Sequence, residues 1–292
     1  PPEFSAKAHI KSLEQYQAMY DRSINDPEGF WLEEAGIIDW IKKPTVARDY
    51  TWDTANANIQ HRWFEDGVLN VAYNCLDRHL GTPRENKVAI IWQGEPEEDV
   101  QKWTYRELYE AVCKFANVLK SKGVKKGDRV AIYMPMIPEL PIAMLACARI
   151  GAIHSVVFGG FSATSLAARI QDSTCKALIT SNVSLRAGRH LRLKDTCDEA
   201  LQTCPSVESV IVYKRTDDPV NMQAGRDFWW DEEMAAASAE CPIEPMASCD
   251  PLFILYTSGS TGTPKGILHG TGGYLTYVTL SHKYIFDIQE DD

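Results

Sequence analysis

Nowhere in these 292 residues do about 18 apolar residues follow one another without a charge, so no membrane-spanning helix is expected. The start, Pro1-Pro2-Glu3-Phe4, has no basic stretch leading into an apolar one, which removes the expectation of a secretory leader. Positive charge is also scarce. Thirty Lys and Arg against 40 Asp and Glu leave a formal charge of −10, which argues against a nucleic-acid-binding face but leaves room for local basic pockets. The eight cysteines contain no C-x-x-C pair and no zinc or iron–sulfur spacing, so no metal centre is expected among them. Several sit in apolar stretches, such as Cys147 in Met144-Leu145-Ala146-Cys147-Ala148, and read as free thiols of a reducing compartment. Internal repeats and low-complexity tracts are absent too. Together these absences predict a soluble, cytoplasmic protein with no membrane and no nucleic acid as partner.

What is present is a core and a rhythm. Hydrophobic residues make up 45% of the chain, enough for one large core or two modest ones. From residue 88 onward, short apolar runs alternate with helix-period segments: Val88–Trp92, Arg129–Met134, Ile153–Phe158, Ala177–Ser181, Glu208–Tyr213 and Leu252–Thr257. That alternation predicts an α/β body, residues 81–292, in which a parallel sheet is joined by crossover helices. Tyr105, Leu108, Val112, Phe115 and Leu119 give one helix an apolar face, and Thr104 with Glu107 forms a T-x-x-E capping box at its start. Residues 1–80 differ. Helical pieces at Ile10–Tyr20 and Glu28–Ala35 and tryptophans at 31, 40, 52 and 63 predict a helical extension packed on the body. Asp217–Glu244, rich in acids and turn formers around Phe228-Trp229-Trp230, reads as a surface excursion with a short helix.

The most informative stretch is Tyr256-Thr257-Ser258-Gly259-Ser260-Thr261-Gly262-Thr263-Pro264-Lys265-Gly266, which follows the apolar run Leu252–Leu255 and precedes a segment read as helical. Polyphosphate demands many donors in a small volume. The three glycines allow close backbone approach, five hydroxyls add short donors, and Lys265 supplies a point charge that Pro264 helps to aim. A P-loop NTPase would need G-x-x-x-x-G-K-[ST]. Here Pro264 stands where its second Gly would be and Gly266 where Ser or Thr would hold Mg²⁺, so the loop is of another type. Flexible linkers share this composition, but they have no reason to follow a buried strand or to carry a Pro-Lys step set among glycines.

This pattern closely resembles the phosphate-binding signature of the adenylate-forming superfamily. By that resemblance Thr257, Ser258, Gly259, Ser260, Thr261, Gly262 and Lys265 hold the β- and γ-phosphates of ATP. Other stretches are similar to the acetyl-coenzyme A synthetase family in particular: Asn70–Leu80, Ala148–Ser162, Gly225–Trp230 and Leu268–Tyr274. Read alone, most of these residues are packing and turns.

Arg186-Ala187-Gly188-Arg189 follows the run Ala177–Ser181 and opens a stretch read as helical, Arg189–Leu201. Two guanidiniums with only Ala and Gly between them are free to converge on one phosphate; a solvated basic face is the alternative. In the resembling family this tetrapeptide matches part of the coenzyme A site, and Phe158-Gly159-Gly160 matches a neighbouring wall. The resemblance implies the large amino-terminal domain of the adenylate-forming fold. It also implies the small-molecule substrates acetate, ATP with Mg²⁺, and CoA. The acetate pocket, the metal carboxylate and the adenylation lysine would then lie in a carboxy-terminal part of the same protein beyond Asp292. No catalytic residue is therefore assigned within the chain, and residues 1–292 alone are expected to be inactive. A synthetase for propionate or another short acid, or a non-catalytic nucleotide- or CoA-binding module, are the alternatives.

Overall fold

The computed structural model describes every residue except Pro1, Gly259, Ser260, Thr261 and Thr263. The chain divides into two compact units, one formed by Ala72–Glu244 with Pro251–His269 and the other by residues 1–71, 245–250 and 270–292.

The larger unit is a mixed α/β structure around a seven-stranded sheet. In spatial order its strands are Asp227–Trp229, Ser209–Tyr213, Ala177–Ser181, Arg129–Tyr133, Ile153–Val156, Pro251–Thr257 and Lys265–Gly270. The first six pair in parallel, with Val130 opposite Ala177 on one side and His154 on the other. The central strands are predominantly apolar and buried because both faces are covered. Val130, Ile132, Ile179 and Ile211 pack on one face against Leu108, Val112, Phe115 and Leu119 of helix Tyr105–Ser121 and against helix Glu139–Arg149. Ala131, Tyr133, Leu178 and Val210 point the other way, toward helices Ala163–Ser173 and Leu193–Leu201. The Thr104–Glu107 capping box is present, and the chain turns through left-handed Gly123 and Gly127 into the strand at Arg129.

Several expectations are corrected. Val88–Gln93 does not join the parallel sheet; it pairs antiparallel with Val100–Thr104 in a sheet of its own, since the short link 94–99 allows a hairpin and no crossover. Residues 189–191 are a strand, not the start of a helix. Ala187 (φ 51°) and Gly188 (φ 69°) form a two-residue left-handed turn that folds Arg189–Leu191 back on Ser184–Arg186, and the helix begins only at Leu193. The segment after the phosphate-type loop is likewise the strand Lys265–Gly270, with helix Thr271–Tyr284 following it. Gly266 suits that strand: a Cβ there would lie 3.1 Å from Ile254 Cγ2 and 3.2 Å from the Tyr256 ring, so the absence of a side chain lets the two strands come together. In the acidic excursion, helix Trp230–Ala236 is preceded by an unanticipated edge strand, Asp227–Trp229.

Two buried cations in this unit are matched by carboxylates. Arg149, 2% exposed, makes two hydrogen bonds to Asp77 at 2.8 and 3.0 Å, a third to the Cys241 carbonyl at 2.6 Å, and lies over the Tyr109 ring. Fully buried Lys194 bonds Asp198 at 2.7 Å and Asp227 at 2.8 Å, and Arg226 bridges the same two carboxylates.

The smaller unit contains helices Leu13–Asn25, Pro27–Glu34 and Thr271–Tyr284. Ser12 and Asp26 cap the first two through the Gln15 and Gly29 amides, and Pro27 starts the second. It also holds an antiparallel hairpin, Arg48–Asp53 with Asn58–Trp63. These strands are exposed along almost their whole length, so no alternation of apolar residues announces them. Trp31, Trp40, Trp63 and Phe64 interlock edge to face as this unit's own cluster, whereas Trp52 stays 73% exposed.

Candidate functional site

Open parallel sheets offer crevices beyond the carboxyl ends of their strands. A cavity of about 640 Å³ lies there in the larger unit. Its walls come from the residues that follow successive strands: Met134–Ile137 after Tyr133, Val157–Gly160 after Val156, Ser184–Arg186 after Ser181, and Arg215 after Tyr213. Leu140, Leu191, Leu255 and Trp92–Glu95 complete the lining. The volume is that of a small-molecule site.

Of the residues expected to meet CoA, Phe158, Gly159, Gly160 and Arg186 line this cavity. The Arg186 guanidinium carbon stands 6.0 Å from the centre of the Phe158 ring, which is 59% exposed. Both glycines leave little room for a side chain: a Cβ at Gly159 would lie 3.3 Å from the Met134 carbonyl, and one at Gly160 would displace the Phe158 ring, 2.6 Å away. Arg189 is not in the wall, but it is the cross-strand partner of Arg186, so both side chains leave the hairpin on one face. The two arginines thus share one face through a hairpin turn and not a helix start.

Ala187 and Gly188 present their amides outward, and both are taken by Glu95, whose carboxylate oxygens accept from Ala187 N at 2.6 Å and Gly188 N at 3.2 Å. The Gly188 and Ala187 amides hold this carboxyl below the usual glutamate range, with a smaller contribution from the positive charge of Arg215. Successive left-handed residues with convergent amides form an anion nest, and here the nest holds the protein's own anion. His190 on the same hairpin contacts Asp218 at 2.7 Å, anchoring it to the following segment.

Thr257 ends its strand, Ser258 follows, and both are exposed; Gly262 has φ 78°, and exposed Lys265 starts the neighbouring strand. Gly259, Ser260 and Thr261 lie outside the described residues. The loop therefore leaves and re-enters the sheet on adjacent strands. Its base is fixed by Tyr256, whose hydroxyl donates to Asp172 at 2.6 Å while Arg169 stacks on the ring at 5.3 Å. Burial pushes that phenol up, so it stays a donor. Lys265 has no hydrogen-bond or ion-pair partner among the described residues.

Sequence reasoning missed Trp92, Glu95, Met134–Ile137 and Arg215. The signal was present, since a residue just beyond the carboxyl end of each parallel strand is a candidate by topology alone.

The fold is that of a parallel α/β enzyme module whose strand ends carry two donor-rich loops. The chain belongs to the AMP-binding enzyme family, whose description matches residues 76–292, and the acetyl-coenzyme A synthetase N-terminus description matches residues 16–75. It is 56% identical over 292 residues to the acetyl-coenzyme A synthetase of Parvibaculum lavamentivorans, covering 100% of this chain and 44% of that protein. It is 54% identical to that of Photobacterium profundum, covering 99% and 44%, and 55% identical to that of Desulfatibacillum aliphaticivorans, covering 95% and 42%. The chain thus spans less than half the length of the curated relatives it matches. No helix among the described residues is long and apolar enough to cross a membrane.

Proposed function

We propose that the chain is the amino-terminal part of an acetate–CoA ligase that forms acetyl-CoA, AMP and pyrophosphate from acetate, ATP and CoA in the cytoplasm. A carboxylate is a poor acyl donor because its leaving group would be oxide. Attack of acetate on the α-phosphorus of ATP expels pyrophosphate and installs a phosphate leaving group; the CoA thiol then attacks the acyl carbon and releases AMP. The observation that carries this reading is that the Thr257–Lys265 stretch joins two adjacent strands and ends at Lys265, whose ammonium has no partner among the described residues. Its amides and hydroxyls, with Lys265, would hold the departing pyrophosphate in line and offset its growing charge.

Phe158, Gly159, Gly160, Arg186, Ala187, Gly188 and Arg189 would receive the nucleotide end of CoA, an assignment supported by the cavity and by the two arginines on one hairpin face. Magnesium would arrive with ATP. Among the described residues no cluster of three His, Cys, Asp or Glu side chains is placed to hold it, and the loop's own donors suit phosphate oxygens, not a cation. The acetate pocket, the metal carboxylate and the adenylation lysine belong, on this reading, to the remaining part of the protein.

The test is acetate-dependent exchange of labelled pyrophosphate into ATP by the full-length protein, with propionate in parallel. Exchange with acetate supports the ligase, faster exchange with propionate moves the assignment to that acid, and none with any short acid favours a non-catalytic binding module.

A further inference from the structure

The cavity contains a cation that the sequence did not single out. Arg215 follows strand Ser209–Tyr213 and lines the same wall as Arg186. Its backbone is held by the Asn182 side chain, which accepts from Arg215 N at 2.9 Å. Its guanidinium lies over the Trp92 ring, 5.2 Å from the centroid, and that indole is itself fixed by donating to the Met136 carbonyl at 2.7 Å. The side chain is oriented from two sides, yet its Nε is shut from solvent with no hydrogen-bond partner, and it makes no ion pair among the described residues. Three other arginines of this unit are satisfied: Arg149 by Asp77, Arg226 by Asp198 and Asp227, Arg129 by the Ser173 and Thr174 carbonyls.

Two carboxyls act electrostatically on Arg215, and neither makes an ion pair with it among the described residues. Glu95 keeps its charge but places its oxygens on the Ala187 and Gly188 amides. Glu139 is buried, its carboxyl raised by desolvation and bonded to the Tyr213 hydroxyl, so its charge is disfavoured. An oriented guanidinium with an unpartnered Nε and no ion pair among the described residues, in the wall of a small-molecule cavity, suits an anionic ligand. Stacking on indole occupies the guanidinium face and leaves its N–H edges for a planar or tetrahedral oxyanion.

We infer that Arg215 is a further phosphate-recognising residue of this cavity, placed by Trp92 to meet a phosphate at the nucleotide end of CoA. The inference rests on the CoA reading proposed above. It requires a ligand phosphate to reach Arg215 and Arg186 together, which assigns recognition to two arginines from different strand ends and not to the hairpin alone.

The experiment uses the full-length enzyme with Arg215→Ala, Arg215→Lys and, as a control for charge, Lys214→Ala, whose residue pairs with exposed Asp217. KM is measured for CoA, for dephospho-CoA, which lacks the 3′-phosphate, and for pantetheine, which lacks all phosphate. Arg215→Ala is expected to raise the KM for CoA about 10- to 100-fold, the range of a lost charge-assisted contact. It should leave pyrophosphate exchange and the rate with pantetheine unchanged, while Arg215→Lys recovers part of the loss and Lys214→Ala has no effect. A penalty that disappears with dephospho-CoA assigns the contact to the 3′-phosphate; one that persists there but not with pantetheine assigns it to the diphosphate. An unchanged KM for CoA, or an equal penalty with pantetheine, overturns the inference. Absence of CoA-dependent product from the wild-type enzyme would instead remove the CoA reading beneath it.

Discussion

Two regions of the larger unit treat charge in opposite ways. Beneath and beside the sheet, Arg149–Asp77 and the Lys194–Asp227–Arg226–Asp198 cluster pair buried charges with good geometry. At the carboxyl ends of the strands, Arg186 lines the cavity, and neither Arg215 nor exposed Lys265 makes an ion pair among the described residues. Matched charges satisfy one another and fix the fold; unmatched ones, costly to a chain that gains nothing from them internally, are where an anion is expected to bind. A mutation in the first region should therefore cost stability, and one in the second should cost affinity or rate with the fold intact.

The sharpest contrast comes from Asp77→Ala. It leaves the Arg149 guanidinium, 2% exposed, without its carboxylate, and removal of one partner of a buried pair costs about 3–5 kcal/mol. The denaturant midpoint of the full-length protein should fall accordingly, and a loss under about 1 kcal/mol, typical of a surface pair, would erase the distinction between the two regions.

A third treatment of charge, exclusion, appears at His154, stacked on Phe253 inside the sheet with its Nδ1 unpartnered. Desolvation lowers this imidazole from the ordinary 6.5 to about 4. Between those values the unfolded chain takes up a proton that the folded chain refuses, so stability falls as pH drops from about 6.5 toward about 4 and is fully present above 6.5. The shift corresponds to roughly 3 kcal/mol. Unfolding free energies measured across that window should show the decline in the wild type and a flatter profile in His154→Phe; identical slopes would mean that the ring titrates normally.

Lys265→Ala moves to the open region. A charge-assisted phosphate contact is worth roughly 1.5–3 kcal/mol, so adenylate formation in the full-length enzyme should slow about 10- to 100-fold. Acetyl transfer from supplied acetyl-adenylate should be spared and the melting temperature unchanged. Equal damage to both half-reactions would count against a role at the pyrophosphate.

How much of this was legible in the sequence follows from where the information lies. Helix Tyr105–Ser121 was readable down to its capping box because periodicity and capping are local. Five of the six expected strand runs entered the parallel sheet, since burial on both faces leaves an uninterrupted apolar signature. The sixth, Val88–Gln93, carries the same signature but pairs with its neighbour, and an apolar run does not encode its partner. The polar hairpin Arg48–Trp63 carries no signature at all. In the site, Arg186 and Phe158-Gly159-Gly160 were found because the resemblance pointed to them. Glu95 and Arg215 were not, because they arrive from separate links and meet the others only through topology.

The smallest effect concerns the residue that joins the two treatments of charge. Glu95 is exposed, and its carboxylate occupies the amides of Ala187 and Gly188, the turn that carries Arg186 and Arg189. Ala187 sits at φ 51°, where a side chain is tolerated only when the surroundings hold it. If the carboxylate holds the turn in shape, Glu95→Gln loosens two arginines before CoA arrives. Ordering them on binding then raises the KM for CoA by roughly two- to tenfold, the cost of immobilising a side chain or two. Pyrophosphate exchange should not change. If instead the carboxylate competes with a ligand phosphate for those amides, the same substitution lowers the KM. The sign of one measurement thus decides whether the nest is part of the scaffold or an anion site that the protein fills for itself until CoA binds.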